Sequence, residues 1–231
     1  MRLFLLSIAI LSSVVVFGQK EMVTRQLGSF NMVMVSGSID LVYKPSSTFY
    51  IEIKGNYPED IISELKDGEL SIYHKKGKNW ISNEWNTIGR GYTVVLYAPS
   101  LNGITSAGSG AVTIDGVLKS DDLSVSIAGS GNLVGKVNIG NLEITNSGSS
   151  NIRLSGNVER VEVKSSGSGN IQCFELLMEE CKISKSGSGN SQITVNHSLN
   201  VSISGSGNFI YKGNPQLISS SSSGSGKIKR I

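Results

Sequence analysis

The sequence predicts an all-β fold, a single-stranded parallel β-helix-like solenoid with rungs of about 19 residues and a more irregular N-terminal half. Three observations predict it. A Gly-Ser-Gly marker, once Gly-Ser-Ser, recurs with first glycines at Gly108, Gly129, Gly148, Gly167, Gly187, Gly205 and Gly224, at intervals of 21, 19, 19, 20, 18 and 19. Apolar and polar residues alternate with period two on both sides of each marker. Asparagine recurs three residues after most of the first glycines, at Asn132, Asn151, Asn170, Asn190 and Asn208.

The period excludes two other readings of the glycines. A flexible linker keeps no period. A phosphate-cradling loop occurs singly, carries Gly-Lys-Ser/Thr or opens a helix, and here each copy leads into another short β-like run.

The alternation places the core. Four residues before each first glycine stand Ile104, Val125, Ile144, Val163, Ile183, Val201 and Ser220. Four after it stand Val112, Leu133, Ile152, Ile171, Ser191, Phe209 and Ile228. Two short strands per copy cannot bury these faces alone, but stacked copies can. A leucine-rich repeat would show its own Leu-x-x-Leu pattern, which is missing. Rungs ~4.8 Å apart would stack seven copies into a rod of roughly 34 Å.

The turn residues suit a sharp corner. Glycine supplies positive φ and close backbone approach, and serine satisfies corner backbone groups. Asparagine tolerates the left-handed conformation and can hydrogen-bond along a stack. The series ends at Ala111 and Lys227, as terminal copies do.

Outward positions carry Glu143, Glu162 and Lys182 in consecutive copies, read as a solvated face. Asp121-Asp122 reads as a turn pair. Cys173 and Cys181 fall at inward positions, where packed thiols are favoured over a disulfide. Without nearby histidines the pair makes a poor metal site, and no cofactor is implied.

The N-terminal half repeats the theme less regularly. Val33 and Val35 precede Gly37-Ser38, Leu41 and Tyr43 follow, and Asp40 takes the asparagine slot. Thr48–Gly55, Gly68–Lys75 and Gly91–Pro99 read as strands. Asn56–Gly68 reads as a short helix, with Pro58 at its start and Gly68 past its end. Residues 76–91 form a polar stretch holding Trp80 and Trp85. The division is therefore a leader at 1–19, an irregular β-helical segment at 20–100 and the regular repeat at 101–231, as one solenoid or two abutting segments.

The leader begins Met1-Arg2, runs apolar from Leu3 to Phe17 and turns polar at Gly18-Gln19-Lys20. That is the pattern of a secretory signal peptide, and the run is short for a span of ~20 residues. No later segment is apolar enough to cross a membrane, so the mature chain is expected outside the inner membrane: in the periplasm, on the outer surface or secreted. Without Arg2 the chain keeps 20 basic and 18 acidic residues, a net charge of +2. Apart from Lys227-Ile228-Lys229-Arg230 the basic residues are scattered, and no nucleic-acid footprint is present.

Together, Phe30…Val33-x-Val35-x-Gly37, Asp67-Gly68-x-Leu70-x-Ile72, Val94…Pro99-x-Leu101 and the serial Gly-Ser-Gly-Asn copies resemble the head GIN domain of putative autotransporter adhesins, frequent in secreted proteins of Bacteroidetes-type bacteria. The resemblance covers roughly residues 30–226. It implies a right-handed β-helix and adhesion, and it brings no catalytic or binding residues.

Three functions compete. The favoured one is a non-catalytic binding module for an extracellular glycan or protein, with Trp80, Trp85 and Tyr92 as candidate sugar-stacking aromatics. The second is a structural or self-assembling envelope element. The third, a polysaccharide-acting enzyme, needs two carboxylates across a cleft. Carboxylates are sparse in the rungs, His74 and His197 lie far apart in sequence, and no nucleophile elbow occurs. No catalytic residue is assigned.

Overall fold

The computed structural model describes residues 13–14, 21–75 and 91–231. Among the described residues seventeen strands join in one continuous hydrogen-bonded sheet that winds as a solenoid. Its regular part is β10 (Val112–Gly129), β11 (Leu133–Gly148), β12 (Ile152–Ser166), β13 (Ile171–Ser186) and β14 (Ser191–Ser204), each parallel to the next. The last rung is closed by β15 (Phe209–Lys212), β16 (Leu217–Ser223) and β17 (Ile228–Arg230).

Each regular rung has three registered segments, where the sequence suggested two. Val112, Leu133, Ile152 and Ile171 align after the glycine corner, and Val125, Ile144, Val163, Ile183 and Val201 align before it. Between them Leu118 aligns with Val137, and Ile139 with Val158 and Met178. The inward residues of all three segments are buried in one core. Asp121 is passed over in the ladder between Ser120 and Asp122, as is Gly140 one rung on. The expected turn pair is thus a corner inside a continuous strand.

The early chain enters the same stack. β3 (Met32–Gly37) and β4 (Ile39–Pro45) pair in parallel with β9 (Gly103–Gly108) and β10, so Gly37 aligns with Gly108, which aligns with Gly129. On the other side of β3 and β4 lie β7 (Glu69–His74) and β8 (Tyr92–Ala98), also parallel. Beyond these the direction reverses. β5 (Tyr50–Gly55) is antiparallel to β8, β2 (Glu21–Gln26) to β5, and β6 (Ile61–Lys66) to β7. The two-residue β1 (Ser13–Val14) pairs with β2.

The antiparallel strands close this end of the core. Phe30 meets Phe49 edge to face at 5.2 Å, and Arg25 Nη1 donates to Ser63 Oγ at 2.9 Å, tying β2 to β6. Buried Tyr43 donates its hydroxyl to Ala98 O at 3.1 Å, and burial pushes its pKa up to about 12.

The helix expected over Asn56–Gly68 is corrected. Pro58–Asp60 makes one 3-10 turn, then β6 runs into a hairpin through Asp67 (φ 51°) and Gly68 (φ 81°). Ile61 and Ile62 are β-branched and stiff at χ1, and Ile61 is buried in the core. Pairing with β7 outweighs the helix-like Pro and Gly signals.

Candidate binding surfaces

The corner carries the asparagine column as a ladder. Asn151 donates both its backbone N–H and its Nδ2 to Asn132 Oδ1 at 3.0 Å, and Asn170 repeats the pattern on Asn151 at 3.3 and 3.0 Å. Asn190 N–H then donates to Asn170 Oδ1, Asn208 N–H to Asn190 Oδ1, and Lys227 N–H to Asn208 Oδ1. At the other end Asp40 Oδ1 accepts the Ala111 N–H at 2.8 Å. The side-chain oxygens mainly satisfy backbone donors of the next corner, so these residues hold the scaffold together.

Of the three candidate aromatics, Tyr92 lies among the described residues. Trp80 and Trp85 lie outside the described residues. Tyr92 is 3% exposed, covers Gly55 and packs edge to face on His74 at 4.7 Å. Its ring belongs to the core and offers no face to a ligand.

The outer surface of the pre-corner face is a polar ladder beside a groove of about 530 Å³. Asn141 donates to Asp122 at 2.8 Å, and Arg160 to Asn141 at 3.1 Å. In the adjoining column Glu143 and Glu162 are register partners, yet their charges are compensated. Lys164 Nζ lies 3.1 Å from Glu143 and 3.5 Å from Glu162, and Lys182 Nζ lies 3.1 Å from Glu162. The Lys182 hydrogen bond, with both ammonium charges, holds the Glu162 carboxyl below its usual range. A carboxyl kept ionised this way is a poor general acid. Lys164 was missed in the sequence because it stands one column over, two residues from Glu162.

Sequence alternation also missed a polar pocket inside the solenoid. In the inward column two residues before the glycine, Ile127, Asn146, Ser165, Lys185 and Ile203 align. Lys185 is 4% exposed and donates to Gly169 O at 2.9 Å, Asn190 O at 3.3 Å and Ser191 Oγ at 3.4 Å. Burial lowers its pKa to about 8. Ser150 donates to Asn146 Oδ1 at 2.6 Å. Lys185 and Asn146 thus serve corner carbonyls that face the interior.

A second cleft, of about 520 Å³, opens on the outer surface of the post-corner face where β13 leaves register. Phe174, Glu175 and Leu176 fall between the aligned pairs Cys173–Ile193 and Leu177–Thr194, so they have no partners in β14. Leu176 turns into the core, Glu175 is exposed and Phe174 is half-buried. Thr194 Oγ1 donates to Phe174 O at 2.8 Å, and Lys212 Nζ lies 4.4 Å from the Phe174 ring centre. Arg153 donates from Nη2 and Nε to Gln172 Oε1 at 2.6 and 3.2 Å.

Cys173 and Cys181 are free and buried, and burial pushes their pKa values to about 11 and about 12. Among the described residues no group of three or more His, Cys, Asp or Glu could hold a metal ion, and no helix is long and apolar enough to cross a membrane.

Known structures share this architecture. A crystal structure described as a putative adhesin from Bacteroides fragilis NCTC 9343 is 24% identical, with a TM-score of 0.79 over 93% of this chain and 98% of that one. A putative adhesin from Parabacteroides merdae ATCC 43184 is 23% identical, with a TM-score of 0.69 over 93% and 97%. A protein from Parabacteroides distasonis ATCC 8503, described as a putative lipid binding protein, is 24% identical, with a TM-score of 0.68 over the same shares. At these identities the likeness is one of fold. No curated protein matches the chain in sequence. The sequence profile described as putative auto-transporter adhesin, head GIN domain, matches residues 29–215, and the chain belongs to that family.

Proposed function

We propose that this chain is a non-catalytic, exported binding module of the adhesin type, which engages a glycan or protein partner through the sides of the solenoid. The observation that carries the reading is the registered polar surface. Asp122, Asn141 and Arg160 repeat at one position per rung and bond to one another along the axis, and in the next column Lys182 pairs with Glu162 while Lys164 bridges Glu162 and Glu143. A rigid array of donors and acceptors can meet an extended partner at many points without refolding, which lowers the ordering cost of association. The adhesin description of the family supports an adhesin-like role. The ion-paired state of Glu143 and Glu162 supports binding over hydrolysis.

Beads coated with the full chain, incubated on immobilised glycans and extracellular-matrix proteins, should adhere saturably and be released by soluble protein. Adherence no greater than that of bare beads on every surface would overturn the reading.

A further inference from the structure

We infer that the cleft beside the β13 bulge is a carbohydrate subsite that takes a neutral pyranose unit. The inference rests on the binding-module reading and names the ligand class and place that it leaves open.

The bulge is the one point in the regular rungs where β13 puts three consecutive residues out of register with β14. The interval from Gly167 to Gly187 is 20 residues and the next is 18, so the extra length enters here. Bulges re-aim side chains. This one brings Phe174 and Glu175 to the lip of a cleft that Val134, Arg153, Gln172 and Gln192 also line. Lys212, over the Phe174 ring and not among the lining residues, braces that ring from outside the cleft.

The polar groups select the ligand. The Arg153 fork takes up Gln172 Oε1, which orients the amide and leaves Gln172 Nε2 as a donor. Gln192, aligned with Gln172, carries both a donor and an acceptor. Glu175 is acceptor-only when ionised, and Arg153 is donor-only. Among the described residues neither Arg153 nor Glu175 enters an ion pair. A site with free donors and free acceptors suits hydroxyl groups, which do both. Phe174 and Val134 suit the apolar C–H face of a sugar ring, and Val134 is exposed at 43% for want of any cover. A carboxylate or sulfate ligand would meet Glu175 across the cleft, and a lipid tail would strand the amides. A volume near 520 Å³ holds a ligand of one or two sugar rings.

The test is saturation-transfer NMR and calorimetry on the full chain. The probes are cellopentaose, maltopentaose, mannopentaose, xylopentaose and chitopentaose, with an oligogalacturonate as the acidic contrast. At least one neutral pentasaccharide should bind, with saturation entering from aromatic protons. Phe174→Ala should weaken it at least tenfold. Gln172→Glu gains a charge partner in Arg153, so it keeps the fold while losing the amide donor, and it should do the same. Lys54→Ala, in β5 at the antiparallel end of the fold, should leave the Kd within twofold. The inference is overturned if no neutral probe binds, if binding ignores both cleft substitutions while each keeps its β circular dichroism, or if only the galacturonate binds. Adherent beads together with a silent cleft would sink this subsite and spare the binding-module reading.

Discussion

The backbone carbonyl of Gly37 accepts the N–H of Ser109 at 3.2 Å, and the two corners are further joined by a 2.9 Å hydrogen bond between Ser38 Oγ and Ser109 Oγ, across 71 residues of chain. The first corner of the stack is therefore supplied by a segment far away in sequence. Among the described residues after β4, β5 and β6 add antiparallel strands at this end of the core, and the chain returns at Gly103 to resume the rise.

This stacking separates two kinds of glycine. Gly37 has φ 93° and open space around a would-be Cβ, so Gly37→Ala should cost only the left-handed penalty, roughly 1–2 kcal/mol. Gly129 has φ 133°, and a Cβ there would collide with the carbonyl oxygen of Gly108 in the rung beside it. Gly129→Ala should lose upwards of about 3 kcal/mol, since strain and a ladder that must open add together. Urea unfolding of the two variants should keep that order, and equal midpoints would refute it.

The asparagine ladder should be strongest in its middle. Asn170→Ala removes the acceptor for the Asn190 N–H and the donor to Asn151 Oδ1, and should cost about 1–2 kcal/mol. Asn208→Ala loses one 3.2 Å bond to Lys227 near the chain end and should cost under about 1 kcal/mol. Hydrogen exchange offers a local readout, because the Asn190 amide should lose protection in Asn170→Ala.

Much of this architecture was legible because a period leaves many copies of one signal. The inward Ile/Val column and the asparagine column were read from spacing alone, and both cysteines lie inward as expected. The return of the chain from Gly37 to Gly108 was not legible, since long-range stacking has no local mark. The middle segment, Val137–Ile139, is too short to announce a strand by alternation. Lys185 sits in an all-polar Ser184–Ser186 run, where facing cannot be read from polarity, and its inward direction follows only from the register with Ser165 and Ile203. The β13 bulge showed as an interval of 20 residues, a signal too small to place a cleft.

The two thiols should be silent in the native protein. Burial holds Cys173 near pKa 11 and Cys181 near 12, which leaves almost no thiolate at neutral pH. A thiol reagent such as Ellman's should label neither residue in the folded chain and both in denaturant. Rapid native labelling of either one would show that the core opens at β13.

Lys185 should make stability rise in alkali. Its partners are two carbonyls and the Ser191 hydroxyl, with no carboxylate among them, so the ammonium is hydrogen-bonded but uncompensated in charge. Its folded pKa, about 8, lies below the ordinary 10.5. Between these values the unfolded chain holds a proton that the folded chain has released, and stability increases with pH wherever the unfolded state binds more protons. Wild type should therefore gain on Lys185→Met as pH climbs from about 8 to about 10.5, by up to about 3 kcal/mol. Below pH 8 the difference between the two should be flat, because the ammonium is charged in both states. The tyrosines titrate alike in both proteins and cancel in the comparison. Denaturant curves at pH 7, 9 and 10.5 read the slope directly. A difference that stays constant over the whole range would mean that the ammonium is as well solvated inside the solenoid as outside it.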